Sequence, residues 1–191
     1  MPRPWARPEV PSRRRVRPLA ALAVLGLLLA AGPAPAAAPT LVVLPLELVD
    51  SSLEGEVYGR SEAQANRLAA TTEAIRTRLD EAPEFTLLPP EAGAELYRRD
   101  RGRYAYVYRC VGCVLEIGCS AGAELILVGW VQKVSNLILN MSIRVYDTRE
   151  GRLWRNGWIS LRGNTDPMWR RAAEKLVDRV LLAPEQEAVR R

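Results

Sequence analysis

Residues 129–169 constrain the fold of this chain more than any other stretch, because they read as two β-hairpins followed by a capped helix. Leu137, Leu139, Met141, Ile143 and Val145 alternate with Ile138, Asn140, Ser142, Arg144 and Tyr146, the period-two signature of a strand with one buried face. Ser135 and Asn136 supply the turn before this strand. Asp147, Thr148, Arg149, Glu150 and Gly151 supply the turn after it, with a glycine available for positive φ. If Asp147 opposes Arg152, Val145 meets Trp154, and both Trp154 and Trp158 join the buried face of Leu139, Met141 and Ile143. A shift of one residue would send the two tryptophans outward beside Arg144, but the apolar face pins the register against it.

Upstream, residues 41–49 form a nearly continuous apolar run, as expected of a strand buried on both faces. Pro45 lies inside it and removes a ladder donor, so a bulge or a free edge is expected there. Residues 50–60 read as a polar loop. Ser61 and Gln64 are spaced as a capping box, and Leu68, Thr72, Ile75 and Leu79 recur on one helical face until Pro83. A short strand at 85–88, a short helix at 91–99, a charged linker at 99–103 and a strand-like alternation at 104–108 follow. Next come a helix at 112–121 stopped by Gly122 and a strand at 125–133. Asp166 and Pro167 read as an N-cap followed by proline at the first helical position, opening a helix that carries Trp169, Ala172, Leu176 and Val180 on one face. The order β-α-β-α-β-β-β-α predicts an α/β (α+β) domain, a single mixed β-sheet of about five strands covered by helices.

The first 38 residues have the form of an export signal. A basic segment with Arg13, Arg14, Arg15 and Arg17 precedes an apolar run at 19–31 and the small-residue sites Ala34-Pro35-Ala36 and Ala36-Ala37-Ala38. The run is short for a membrane span, and no second one follows. The domain is then expected at 39–183, with a frayed charged tail at 184–191, in the periplasm and without stable membrane insertion after cleavage. The chain carries 27 basic and 22 acidic residues; without the six arginines and one glutamate ahead of residue 39, 21 of each sign remain. The positive balance belongs to the signal and gives no support for nucleic-acid binding.

Histidine is absent, which removes imidazole triads, HExxH zinc sites and haem-attachment motifs. No catalytic constellation, metal site or cofactor motif stands out, and the chain reads as a non-enzyme. The acidic group Glu47, Asp50, Glu54 and Glu56 reads as a solvated loop. Cys110, Cys113 and Cys119 form C-x2-C-x5-C. In an oxidising compartment Cys110 and Cys113 are expected as a structural disulfide, against a rarer redox pair, with Cys119 a buried small hydrophobe.

The segments AGAELILVGWVQKVSN and IRVYDTREGRLWRNGWIS resemble the amino-terminal domain of the TolB family of envelope proteins. VGWVQKVSNLILN with RGNTDPMWRR is similar to a family of small exported bacterial proteins of unknown function, some of them associated with gene neighbourhoods of quinoprotein alcohol dehydrogenases. Neither resemblance supplies catalytic residues. Together they imply a periplasmic or envelope protein partner and a role as an interaction or assembly module, with a maturation factor for a quinoprotein (PQQ) dehydrogenase as one rival; the Cys110/Cys113 pair supplies the other, a thiol-disulfide protein, and an oligomer is open. The expected topology gathers the carboxyl ends of three strands on one rim, where Asp50, Lys133, Asn136, Asn164 and Asp166 form the candidate partner-binding site. Asp166 as a helix cap and Asn164 as a turn residue are the structural reading of the same positions.

Overall fold

Two parallel strand pieces, β1 (Thr40–Val43) and β2 (Glu47–Asp50), run end to end along one side of β4 (Leu125–Ser135). Val43 pairs with Leu127 and Glu47 with Trp130, so four steps on the first side meet three on the second. The extra residue lies in the Leu44–Leu46 stretch around Pro45, a bulge where the ladder lacks a donor. The expected first strand is therefore two strands, and the sheet has six. The computed structural model describes residues 37–183; the export signal and the charged tail expected from sequence lie outside the described residues, apart from positions 37 and 38.

The strand order is β3-β1-β4-β5-β6, where β3 is Thr86–Leu87, β5 Ile138–Asp147 and β6 Arg152–Leu161. β1 is parallel to β3 and β4, and β4, β5 and β6 form an antiparallel meander. The helices are α1 (Leu53–Tyr58), α2 (Glu62–Asp80), α3 (Ala94–Arg101), α4 (Val111–Ser120) and α5 (Asp166–Val177), the last continued by a π-helical turn, Asp178–Leu182. None is long and apolar enough to cross a membrane among the described residues.

α2 begins with the expected capping box: the Ser61 hydroxyl accepts from Gln64 N, and Gln64 reaches back to Ser61 N. Its Ile75 and Leu79 pack with Trp169, Leu176 and Val177 of α5 on the sheet face formed by Leu127, Val131, Leu139, Met141 and Ile143. On the other face, α4 and a 3₁₀ turn (Val107–Arg109) cover Val42, Leu44, Ile126 and Val128. That second layer stops short of β6, whose Asn156, Trp158 and Ser160 stay exposed. Among the described residues β6 has no strand on its outer side.

Several further sequence expectations change. Residues 50–60 contain α1, because Ser52 caps Gly55 N. The alternating residues 104–108 enter a 3₁₀ turn, held by Glu47, whose carboxylate accepts from Val107 N at 3.1 Å and Tyr108 N at 2.9 Å. Asp147 does oppose Arg152, but Val145 meets Arg155, because a bulge at Trp154 adds a residue to β6. Trp158 therefore pairs with Ser142 on the outer face and is 63% exposed. Trp154 is half-buried, edge-on to Phe85. Cys119 is exposed rather than buried, its thiol directed to the Thr148 carbonyl. Gly157 is required where it stands: a Cβ there would lie 2.4 Å from Val180 Cγ2.

Candidate functional site

β2, β4 and β6 end on one rim, and all five expected site residues meet there in a single hydrogen-bonded network. At its centre is Lys133. The alternation of β4 directs Val131 and Lys133 to the core side and Gln132 away from it, so the Lys133 side chain has no exposed surface. Its ammonium donates to Asp50 Oδ2 at 3.2 Å and to Glu54 Oε2 at 2.8 Å. Asp50 also accepts from the Ser52 hydroxyl, Ser52 N and Gln64 Nε2. Gly55 makes room for this carboxylate, since a Cβ at position 55 would lie 2.5 Å from Asp50 Cγ.

The network continues outward. Asn136 Nδ2 donates to Glu54 Oε2, and Asn164 Nδ2 donates to Asn136 Oδ1. Asn164 Oδ1 accepts from Arg67 Nη1 at 2.8 Å and from the indole of the buried Trp169 at 3.1 Å. Asp166 is the first residue of α5, not its cap; the cap is Thr165, and Asp166 instead accepts from Arg67 Nε at 2.5 Å.

The charges are held in their ionised forms. Burial alone would raise the Asp50 carboxyl, but bonds from Ser52, Lys133 and Gln64 outweigh it and hold the group below its usual range. Glu54 is lowered by its bond from Lys133 and then by that from Asn136. Burial would depress Lys133, yet its bonds to Glu54 and Asp50 leave it raised. The sequence groups Lys133 with the partner-binding rim, whereas its side chain is a buried cation. Sequence reading also missed Arg67 and took Glu54 and Glu47 for loop residues. The signal for Lys133 was present in its parity with Val131; Arg67 left none, because its partners lie about a hundred residues away.

The same network fixes an apolar crest. Glu54 ties α1 to the β4–β5 turn, and these two elements expose Leu53, Val57 and Tyr58 on one side, and Val134, Leu137 and Ile138 on the other. Tyr58 is 82% exposed and Leu137 73%. The turn is Asn136-Leu137, one residue later than expected, which lifts Leu137 out of the buried face.

Cys110 and Cys113 are joined, their Cα atoms 5.2 Å apart. Cys110 caps α4, its sulfur accepting from Cys113 N at 3.3 Å.

These features define an α+β domain: one open mixed sheet, helices on both faces, and a charged network at the carboxyl ends of its strands. Residues 39–181 match the family DUF3280, described as a protein of unknown function (DUF2380), and the chain belongs to that family. No curated protein matches it. Among solved structures it is similar to the LpoB C-terminal domain from Salmonella enterica, with 17% identity over 73% of this chain and 92% of that one and a TM-score of 0.47. It is similar to PelC, a dodecamer from Paraburkholderia phytofirmans, with 13% identity over 76% and 89% and a TM-score of 0.42. The TolB likeness expected from sequence is also present: TolB from Acinetobacter baumannii has 14% identity over 74% of this chain and 27% of that longer one, with a TM-score of 0.40.

Proposed function

We propose that this protein is a non-catalytic interaction module of the bacterial envelope, docking a protein partner through the rim at the ends of β2, β4 and β6. The observation that carries the reading is the apolar crest. Six large apolar side chains stand exposed on two elements tied together through Glu54. Apolar groups grouped at one end of a domain and bordered by polar groups mark association surfaces, and a rigid base lowers the entropy lost on docking. The polar groups beneath them are largely occupied with one another. Lys133 is thus a support for the surface, while Asn136 and Leu137 belong to the surface itself.

The test is site-specific photo-crosslinking in envelope fractions, with the crosslinker placed at Leu137 and, as control, at Arg149 in the turn at the opposite end of β5. A discrete adduct from Leu137 that is absent from Arg149 supports the rim. Equal labelling at both positions, or none at Leu137, overturns it.

A further inference from the structure

A concavity lies at the free side of β2. It holds about 100 Å³ and is walled by Leu46, Leu48, Ala65 and Leu68, with Arg60, Tyr97 and Arg101 among its polar lining. It lies just past the bulge at Pro45. β1 has β3 as its outer neighbour, but among the described residues β2 pairs with β4 alone, so α2 and α3 approach an edge that no described strand fills.

The donors around this space exceed the acceptors. Ser51 N is bonded to Lys133 O, on the β4 side, so the two-residue period turns the backbone of Leu48 toward the open edge. Arg101 spends one nitrogen, Nη1, on Glu47 Oε1 and the Ala105 carbonyl. Arg60 makes no side-chain hydrogen bond or salt bridge among the described residues. Among the described residues Glu47 is the one carboxylate in the lining, and Arg101, Val107 N and Tyr108 N already occupy it. Two guanidinium groups against one carboxylate leave the mouth with one net positive charge. Burial raises the Tyr97 phenol, with the Glu47 charge adding to it, so Tyr97 keeps its proton.

We infer that this pocket binds a small carboxylate with a short unbranched apolar chain. The chain would lie on Leu46, Leu48, Ala65 and Leu68, and the carboxylate would face Arg60, Arg101 and the Tyr97 hydroxyl. Apolar walls with a few convergent polar groups at one end are the general form of a small-molecule site. The volume sets the size, since a dry cavity of about 150 Å³ accepts benzene, and a slightly smaller one suits a chain of about four carbons. The inference stands independently of the docking crest.

Pentanoate and its neutral analogue pentan-1-ol are the probes, titrated into the isotope-labelled protein and followed by amide chemical shifts. Pentanoate is expected to move the signals of Leu48, Gln64 and Leu68 saturably at about millimolar concentration, with pentan-1-ol at least about tenfold weaker. Arg60→Gln should reduce pentanoate affinity severalfold and leave the alcohol unchanged. Leu68→Trp should abolish binding, and Ala65→Leu, at an exposed position on the same wall, gives a second blocking variant if the first folds poorly. Equal binding of acid and alcohol, absence of saturation, or undiminished pentanoate shifts in both blocking variants overturns the assignment.

Discussion

Lys133 Nζ lies 2.8 Å from Glu54 Oε2 and 3.2 Å from Asp50 Oδ2, on a side chain with no exposure to solvent. Lys133→Met keeps most of the volume and removes the charge, leaving the nearly buried Asp50 carboxylate without its cation. Breaking a buried pair from one side costs about 3 kcal/mol, or roughly 6–12 °C in melting temperature for a chain of this size. Lys133→Met combined with Asp50→Asn should recover part of that loss. Thermal unfolding of the two variants decides it, and a single variant as stable as the wild type would show that the pair is dispensable.

Acid should find the same site. Asp50 is held below its ordinary 3.8, so its contribution to stability is present above that value and is lost as pH falls through the lower folded value. Glu54, held below 4.5, acts in the same sense. Lys133 is raised above 10.5; its contribution is complete below that pH and is lost as pH climbs through the folded value. Denaturant midpoints should therefore be flat from about pH 5 to 10 as far as these groups are concerned, and fall on either side. Asp50→Asn should make the acid limb shallower. An unchanged limb would place the acid sensitivity elsewhere.

Two neighbouring positions on β6 should respond in opposite ways. Gly157→Val forces a side chain into Val180, and overpacking of this kind costs about 1–3 kcal/mol. Trp158→Ser, on the open face, should alter stability by no more than about 0.5 kcal/mol. Urea melts of both variants test the register, and a large loss at Trp158 with none at Gly157 would reverse the two faces.

That pair also shows where the sequence stopped being readable. The alternation from Leu139 to Val145 and the turn at Gly151 are local, and they appear in the fold as expected. The capping box at Ser61 is local too. Trp158 was assigned to the core because a bulge at Trp154 changes the phase of β6, and a bulge is decided by pairing across strands, not by the residues in one of them. Tyr104, Tyr106 and Tyr108 alternate like a strand, yet a carboxylate some sixty residues away captures the backbone N–H groups of Val107 and Tyr108 and turns the chain. The rim residues were legible as a group, since topology alone collects strand ends. Their division into supporting and exposed members depended on the burial of Lys133.

The cysteines give a simple chemical test. Cys119 should react once per chain with a maleimide under native conditions, whereas Cys110 and Cys113 should react only after reduction. Replacing both with serine should cost about 2 kcal/mol, a small value because the bridge closes a very short loop. Peptide mapping without reduction that finds Cys119 in a bridge would contradict the structure.

The outer side of β6, bare among the described residues, carries a hazard of its own. A ten-residue strand with an open row of amides is a template on which another chain can lay itself down, the first step toward fibrillar association. Here the Arg179 guanidinium donates to the Trp158 carbonyl, while Arg155 ties the strand to the carbonyls of Val180 and Leu181. An incoming strand would have to displace the first of these contacts and accommodate a strand fastened at its middle. The short turn after α5 thus acts as a guard against templated growth, and its loss should appear as turbidity in concentrated samples before it appears as a lower melting temperature.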